Sequence, residues 1–186
     1  MHTRVILLCL AMSVALSACA PGANLPPLPP SSGRTYTLGP GDRLRVITYG
    51  EDQLTGDFVV NDAGNIEVPL LGTVSAQGRT VSQLQDEMVA ALKSRELIKT
   101  PSVAVEISQY RPIFVLGEVS RPGSYAYQPD MTVLTAVALA GGFTYRAVKA
   151  TQSVTRAADG QATENRATPQ SLLRPGDVVN VFERHF

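Results

Sequence analysis

The stretch LGPGDRLRV, residues 38–46, returns near the other end of the chain as LRPGDVVNV, residues 173–181. Both copies run Leu, any residue, Pro-Gly-Asp, three residues, Val. Proline fixes φ, glycine allows a turn conformation closed to other residues, and aspartate accepts backbone hydrogen bonds. A stretch rich in Val, Leu or Ile follows each copy, so each turn is expected to feed a strand into a sheet. Pro40, Gly41 and Asp42 are therefore assigned as one strand-initiating turn, and Pro175, Gly176 and Asp177 as the other. A catalytic pairing of Asp42 with Asp177 is the alternative. No nucleophile or base elsewhere in the sequence supports it, and it is set aside.

Two modules follow from these landmarks, at residues 35–110 and 111–186. In the first, LRVITYG (44–50) and DFVV (57–60) have strand composition, and NDAGNIEVPLLG (61–72) is expected to form a hairpin turning at Asp62-Ala63-Gly64-Asn65. TVSQLQDEMVAALKSREL (80–97) places Val81, Leu84, Met88, Ala91 and Leu92 at helical spacing. Thr80 and Gln83 fit a capping box at its start. SVAVEIS (102–108) alternates like a half-buried strand. In the second module, RPIFVLGEV (111–119) is a near-continuous apolar strand and SRPGSYAY (120–127) a Pro-Gly turn into another. TVLTAVALAGG (132–142) is a short helix with Thr132 as N-cap, ended by Gly141 or Gly142 in the left-handed conformation. TQSVTR (151–156) is an expected strand, ADGQATENRATPQ (158–170) is polar and turn-rich, and VVNVF (178–182) is a strand. Strands with one helix in each module make an α+β protein of two small modules.

The amino terminus, MHTRVILLCLAMSVALSACA, has a basic start at Arg4 and an apolar run from Val5 to Leu16. That run is too short to span a hydrocarbon core of ~30 Å, and it has the form of a secretory signal. Its end, Leu16-Ser17-Ala18-Cys19, resembles the bacterial lipobox. This implies a signal peptide at 1–18, with Cys19 lipidated as the first mature residue. Cys9 would leave with the signal, so the mature chain keeps a single thiol and forms no intrachain disulfide. Ala20, by resemblance to bacterial lipoproteins, favours sorting to the outer membrane. Residues 19–34 are a lipidated, Pro-rich tether. Its five prolines favour an extended, semi-stiff leader that holds the folded part off the membrane.

Composition excludes several classes. Among 186 residues, Lys+Arg and Asp+Glu are both 16, which gives no electrostatic footprint for nucleic acid. The two histidines, His2 and His185, leave nothing from which to build a His metal site or a catalytic triad. No catalytic residue, metal or cofactor is expected. Glu51, Asp52, Asp57, Asp86 and Glu87 are scattered surface charges, not the paired carboxylates of a glycan-cleaving enzyme. Tyr49, Tyr110, Tyr125, Tyr127 and Tyr145 could offer aromatic faces to a sugar. Packing is the preferred role for most of them, and none is assigned to a ligand.

YTLGPGDRLRV (36–46), followed by GNIEVPLLGTVSAQGRTVSQLQDEM (64–88), resembles the polysaccharide-export domain of Wza-type outer-membrane lipoproteins. VLGEVSRPGSYAYQPDMTVLTAVALAGGFT (115–144), ending in LRPGDVVNV, resembles the adjoining SLBB domain, a β-grasp-like module. Together the two cover roughly residues 35–186. The resemblance implies export of capsular or exopolysaccharide across the outer membrane. It also implies homo-oligomeric rings around a passage and an inner-membrane co-polymerase as partner. Large members add a second SLBB domain and a C-terminal membrane-spanning helix. This sequence ends at Phe186 and resembles the short members found with xanthan-like export systems. The expectation is a lipid-anchored ring facing the periplasm, with a separate outer-membrane pore protein completing the path. The competing reading is a periplasmic glycan-binding or adaptor lipoprotein that forms no conduit.

Overall fold

Each Pro-Gly-Asp turn opens a strand. A computed structural model describes residues 21–30, 35–158 and 160–184. The lipobox residues Leu16, Ser17, Ala18 and Cys19, with the rest of the signal segment, lie outside the described residues. The chain divides into two compact units. One holds residues 35–112 together with Ala126–Pro129. The other holds 21–30, Ile113–Tyr125 and 130–184.

In the first unit, β1 (Arg43–Thr48) is the middle of a three-stranded antiparallel sheet, flanked by β2 (Gly56–Val59) and β5 (Val103–Gln109). Residues on β1 are alternately exposed and buried, so Leu44 and Val46 enter the core while Arg43 and Arg45 face outward. β3 (Asn65–Val68) and β4 (Gly72–Ser75) pair with each other as a separate ribbon. The hairpin expected within 61–72 is therefore displaced. Its turn lies at Pro69–Leu71, where Leu70 takes φ +63° and Leu71 N–H donates to the Pro69 carbonyl at 2.7 Å. The turn at Asn61–Gly64 instead connects two different sheets. The Asp-Ala-Gly-Asn cluster marks a turn correctly but carries no information about which strands pair after it.

Helix α1 (Val81–Ser94) buries Leu84, Met88 and Leu92 in the core of this unit. Thr80 Oγ1 accepts from Gln83 N–H at 3.2 Å, and Gln83 Oε1 accepts from Thr80 N–H at 2.9 Å. This reciprocal pair satisfies two amides that the helix itself leaves without partners. Thr80→Ala is expected to cost about 1 kcal/mol, read as a lower urea midpoint for this unit at unchanged slope. The helix stops three residues before the expected end at Leu97. Glu96 is left-handed (φ +56°), and Leu97 N–H reaches back to the Leu92 carbonyl at 3.1 Å, a Schellman closure built without glycine.

The second unit is a five-stranded sheet in the order β7-β6-β10-β8-β9, formed by β6 (Ile113–Gly117), β7 (Gly123–Tyr125), β8 (Gln152–Ala158), β9 (Gln161–Ala167) and β10 (Val178–Val181). β10 lies parallel to β6 and antiparallel to β8, so the strand after the second Pro-Gly-Asp turn becomes the centre of the sheet. Helix α2 (Val133–Leu139) buries Val133, Ala136 and Val137. Thr132 Oγ1 accepts from Thr135 N–H at 3.2 Å at its start. Gly141 and Gly142, at φ +83° and +87°, close its end, and Gly142 N–H donates to the Val137 carbonyl at 2.9 Å.

Three expectations for this unit change. The apolar run 111–119 is a strand only over 113–117, and it is not buried on both faces. Ile113 and Val115 point inward, while Phe114 and Leu116 stay 42% and 46% exposed. The polar stretch 158–170 contains β9, which pairs with β8 along its whole length, from Gln152↔Ala167 to Ala158↔Gln161. Composition hides this strand. Gly160, at φ +77°, directly precedes β9, a backbone conformation that suits a tight hairpin connection. Finally, the leader is not wholly a free tether. Arg166 N–H donates to the Pro26 carbonyl at 2.7 Å, and Leu28 N–H donates to the Arg166 carbonyl at 2.8 Å, so Pro26–Leu28 adds to the outer edge of β9. Proline is tolerated there because an edge position demands no second donor.

Candidate functional site

The two repeats build the same object twice. In the first, Asp42 N–H donates to the Gly39 carbonyl at 3.1 Å across Pro40 and Gly41 (φ +91°). In the second, Asp177 N–H donates to the Arg174 carbonyl at 3.1 Å across Pro175 and Gly176 (φ +86°). These are type II turns, which need positive φ at the third residue. Each carboxylate then folds back on its own turn. Asp42 Oδ2 accepts from Gly39 N–H at 2.9 Å, and Asp177 Oδ2 accepts from Arg174 N–H at 2.8 Å.

Both carboxylates are buried, at 0% and 1% exposure, and an unpaired charge there would be costly. Each is neutralised by an arginine far away in sequence. Arg111 donates to Asp42 through its backbone N–H at 2.9 Å and its guanidinium at 3.3 Å. Arg156 donates to Asp177 from two guanidinium nitrogens, at 2.9 and 2.7 Å. Tyr36 adds its hydroxyl to Asp42 at 2.6 Å. Burial, and then the hydrogen bond to Asp42 and its negative charge, push the Tyr36 phenol well above the ordinary tyrosine range. The phenol therefore keeps its proton and donates a hydrogen bond to Asp42. Three or more donors occupy each carboxylate, so both act as fixed anchors of the chain. Sequence reasoning found the two aspartates but missed Tyr36, Arg111 and Arg156. Nothing local distinguishes those two arginines from the other basic residues; only the rule that a buried carboxylate needs a partner calls for them.

The tyrosines separate into two kinds. Tyr110 sits between Tyr36 and Tyr127 with edge-on rings, centroids 5.1 and 5.4 Å apart, and the Arg111 guanidinium lies over Tyr36 at 5.6 Å. Tyr125 donates its hydroxyl to the Arg121 carbonyl. These are packing roles. Tyr49 and Tyr145, at 86% and 87% exposure, are not packed. Asp57 pairs with Arg45 at 3.4 Å on the outer face of the first sheet, and Glu87 pairs with Arg79. Among the described residues, no three His, Cys, Asp or Glu side chains come together as a metal site, and no helix is long and apolar enough to cross a membrane.

The fold and its two turns can be set against known proteins. The sequence profile of the polysaccharide biosynthesis/export protein family matches residues 30–108, and that of the SLBB domain matches residues 112–163. The chain belongs to the polysaccharide export family. Curated relatives of this chain include the exopolysaccharide production protein ExoF of Rhizobium meliloti (strain 1021), 37% identical over 144 residues, or 72% of this chain and 32% of ExoF. The EPS I polysaccharide export outer membrane protein EpsA of Ralstonia solanacearum is 30% identical over 161 residues, covering 81% of this chain and 42% of EpsA. The capsule polysaccharide export protein BexD of Haemophilus influenzae is 32% identical over 133 residues, covering 67% of this chain and 33% of BexD. The chain thus spans about a third to two fifths of the length of these relatives. Within this export-family chain the SLBB match ends inside β9, yet β10, the central strand, lies beyond it and completes the sheet.

Proposed function

We propose that this chain is a subunit of an outer-membrane exopolysaccharide-export apparatus, acylated at Cys19 and assembled as a homo-oligomeric ring on the periplasmic side. The observation that carries the reading is the order of its parts. An export domain and an SLBB domain follow each other in one chain, and relatives that share both stretches bear exopolysaccharide or capsule export names. Transport of a finished polymer needs no bond chemistry, which fits two turns of the same geometry whose carboxylates are committed to internal donors. Units of this size have modest cores, and burial between copies would stabilise them further. The leader supports the anchoring part. Gly22, three residues after Cys19, lies against the Phe182 ring, so acyl chains on Cys19 would tether the SLBB unit closely. An inner-membrane co-polymerase is the partner this role requires.

The test is genetic and chemical together. A strain lacking the gene should stop secreting polymer, and the parent chain should restore it. Cys19→Ser should leave secretion severely reduced and the protein absent from outer-membrane fractions. Mass spectrometry of the parent should find diacylglyceryl and a third acyl chain on Cys19. Cross-linking in membranes should produce a ladder ending at one fixed size. Normal secretion by the deletion strain would remove the export role, and a strictly monomeric pattern would remove the ring.

A further inference from the structure

The second unit gathers basic side chains and one exposed ring at a single end, and the leader runs to that same end. β6 stops at Gly117 and β10 at Val181, side by side. Beyond them, Val119 bridges to Phe143, and Thr144 N–H donates to the Glu118 carbonyl at 3.1 Å. Val148 N–H donates to the Phe182 carbonyl at 2.8 Å, and Arg184 N–H to the Arg146 carbonyl at 2.9 Å. Arg121 N–H donates to the Ala140 carbonyl at 2.8 Å and its guanidinium to the Leu139 carbonyl at 3.3 Å, so Arg121, Tyr145, Arg146, Lys149 and Arg184 all lie at this end of the unit, and all are exposed. Two carboxylates face them: Glu183 pairs with Arg146, and Glu118 accepts from the Thr144 hydroxyl. Among the described residues, four cations stand against two carboxylates at this end.

The leader lies on the outer edge of the sheet, beside the last residues of β9. Leu28 and Pro26 bond to Arg166, and before that pairing the chain turns at Gly22–Leu25, where Leu25 N–H donates to the Gly22 carbonyl at 3.1 Å and Gly22 lies against the ring of Phe182. A Cβ on Gly22 would lie only 2.9 Å from that ring. Cys19 is three residues earlier, within about 10 Å by chain length. We infer that this end of the SLBB unit rests on the phospholipid surface, with Arg121, Arg146, Lys149 and Arg184 against anionic headgroups and Tyr145 seated in the interface. The inference rests on acylation of Cys19. Tyrosine suits this depth because its ring is apolar and its hydroxyl stays hydrated. Each basic side chain near an anionic surface strengthens the partition by about fivefold, so the face fixes the orientation of a unit that acyl chains alone would leave free to swivel.

The chain contains no tryptophan, so Tyr145→Trp supplies a sole reporter. The full-length acylated protein carrying it would be reconstituted with vesicles of phosphatidylcholine, with or without phosphatidylglycerol, and with brominated lipids as quenchers. Tyr49→Trp, in the other unit, is the control. Flotation reports the anchor and quenching reports the face. The expected result is flotation with both vesicle types, with Tyr145→Trp blue-shifted and quenched at least twofold more strongly in the anionic vesicles, and Tyr49→Trp unaffected. Adding Arg121→Glu, Lys149→Glu and Arg184→Glu should abolish the anionic preference while flotation persists. Flotation without quenching of Tyr145→Trp, or equal quenching in neutral and anionic vesicles, overturns the face alone. Failure to float overturns the anchor and the face together.

Discussion

Asp177→Ala is expected to destabilise the second unit by about 3–5 kcal/mol, enough to unfold much of it under conditions where the parent is intact. The reason is what remains. Arg156, whose side chain is only 10% exposed, loses both acceptors at 2.9 and 2.7 Å and is left as a buried charge without its carboxylate. Arg174 N–H loses its acceptor as well, and the turn that launches the central strand loses its lock. The two-unit architecture provides a check. Urea unfolding followed by circular dichroism should show the transition of the second unit moving while that of the first stays in place. Replacing the pair together, Asp177→Leu with Arg156→Met, should recover much of the loss, because two apolar groups of similar size leave no orphaned charge. If Asp177→Ala shifts the midpoint no more than an ordinary surface change, the buried pair is not what holds β10.

Gly117→Ala should cost the same unit about 2–5 kcal/mol, for an unrelated reason. Gly117 ends β6 at φ +81°, opposite Val181 in the parallel ladder. A Cβ there would lie 2.2 Å from the Val181 carbonyl oxygen and 2.8 Å from Asn180 Oδ1. The first of these is backbone and cannot rotate away. An L residue in the left-handed region costs roughly 1–2 kcal/mol, and forcing the strands apart adds about 1–3 kcal/mol. Gly72 is the contrast. It also has positive φ, +67°, but a Cβ there meets nothing within 4 Å, so Gly72→Ala should show only the conformational part. Thermal denaturation of the two variants separates steric clash from backbone preference. Equal losses would mean that the approach of Gly117 to Val181 is not tight.

Local chemistry is enough to place the elements whose causes are local. The caps at Thr80 and Thr132, the pair of glycines after α2 and both Pro-Gly-Asp turns depend on residues within a few positions of one another, and a sequence displays these directly. Helical spacing in 81–92 and alternation in 103–107 likewise state which side is buried. The order of motifs along the chain carries the family resemblance for the same reason.

Pairing is different, because it is settled between segments that are distant in the chain. Nothing in VVNV distinguishes an edge from the middle of a sheet. It becomes the centre because β6 and β8 each offer it an unpaired side. QATENRA has the composition of a loop and becomes a strand because β8 supplies a full ladder of partners. Arg111 and Arg156 acquire their roles only when the fold brings each to a buried carboxylate. The leader shows the division most plainly. Its prolines rule out a helix or an interior strand by fixed φ and missing donors, which is a property of the residues themselves. That it lies along Arg166 follows from an open sheet edge, and such an edge exists only once the rest of the sheet has formed.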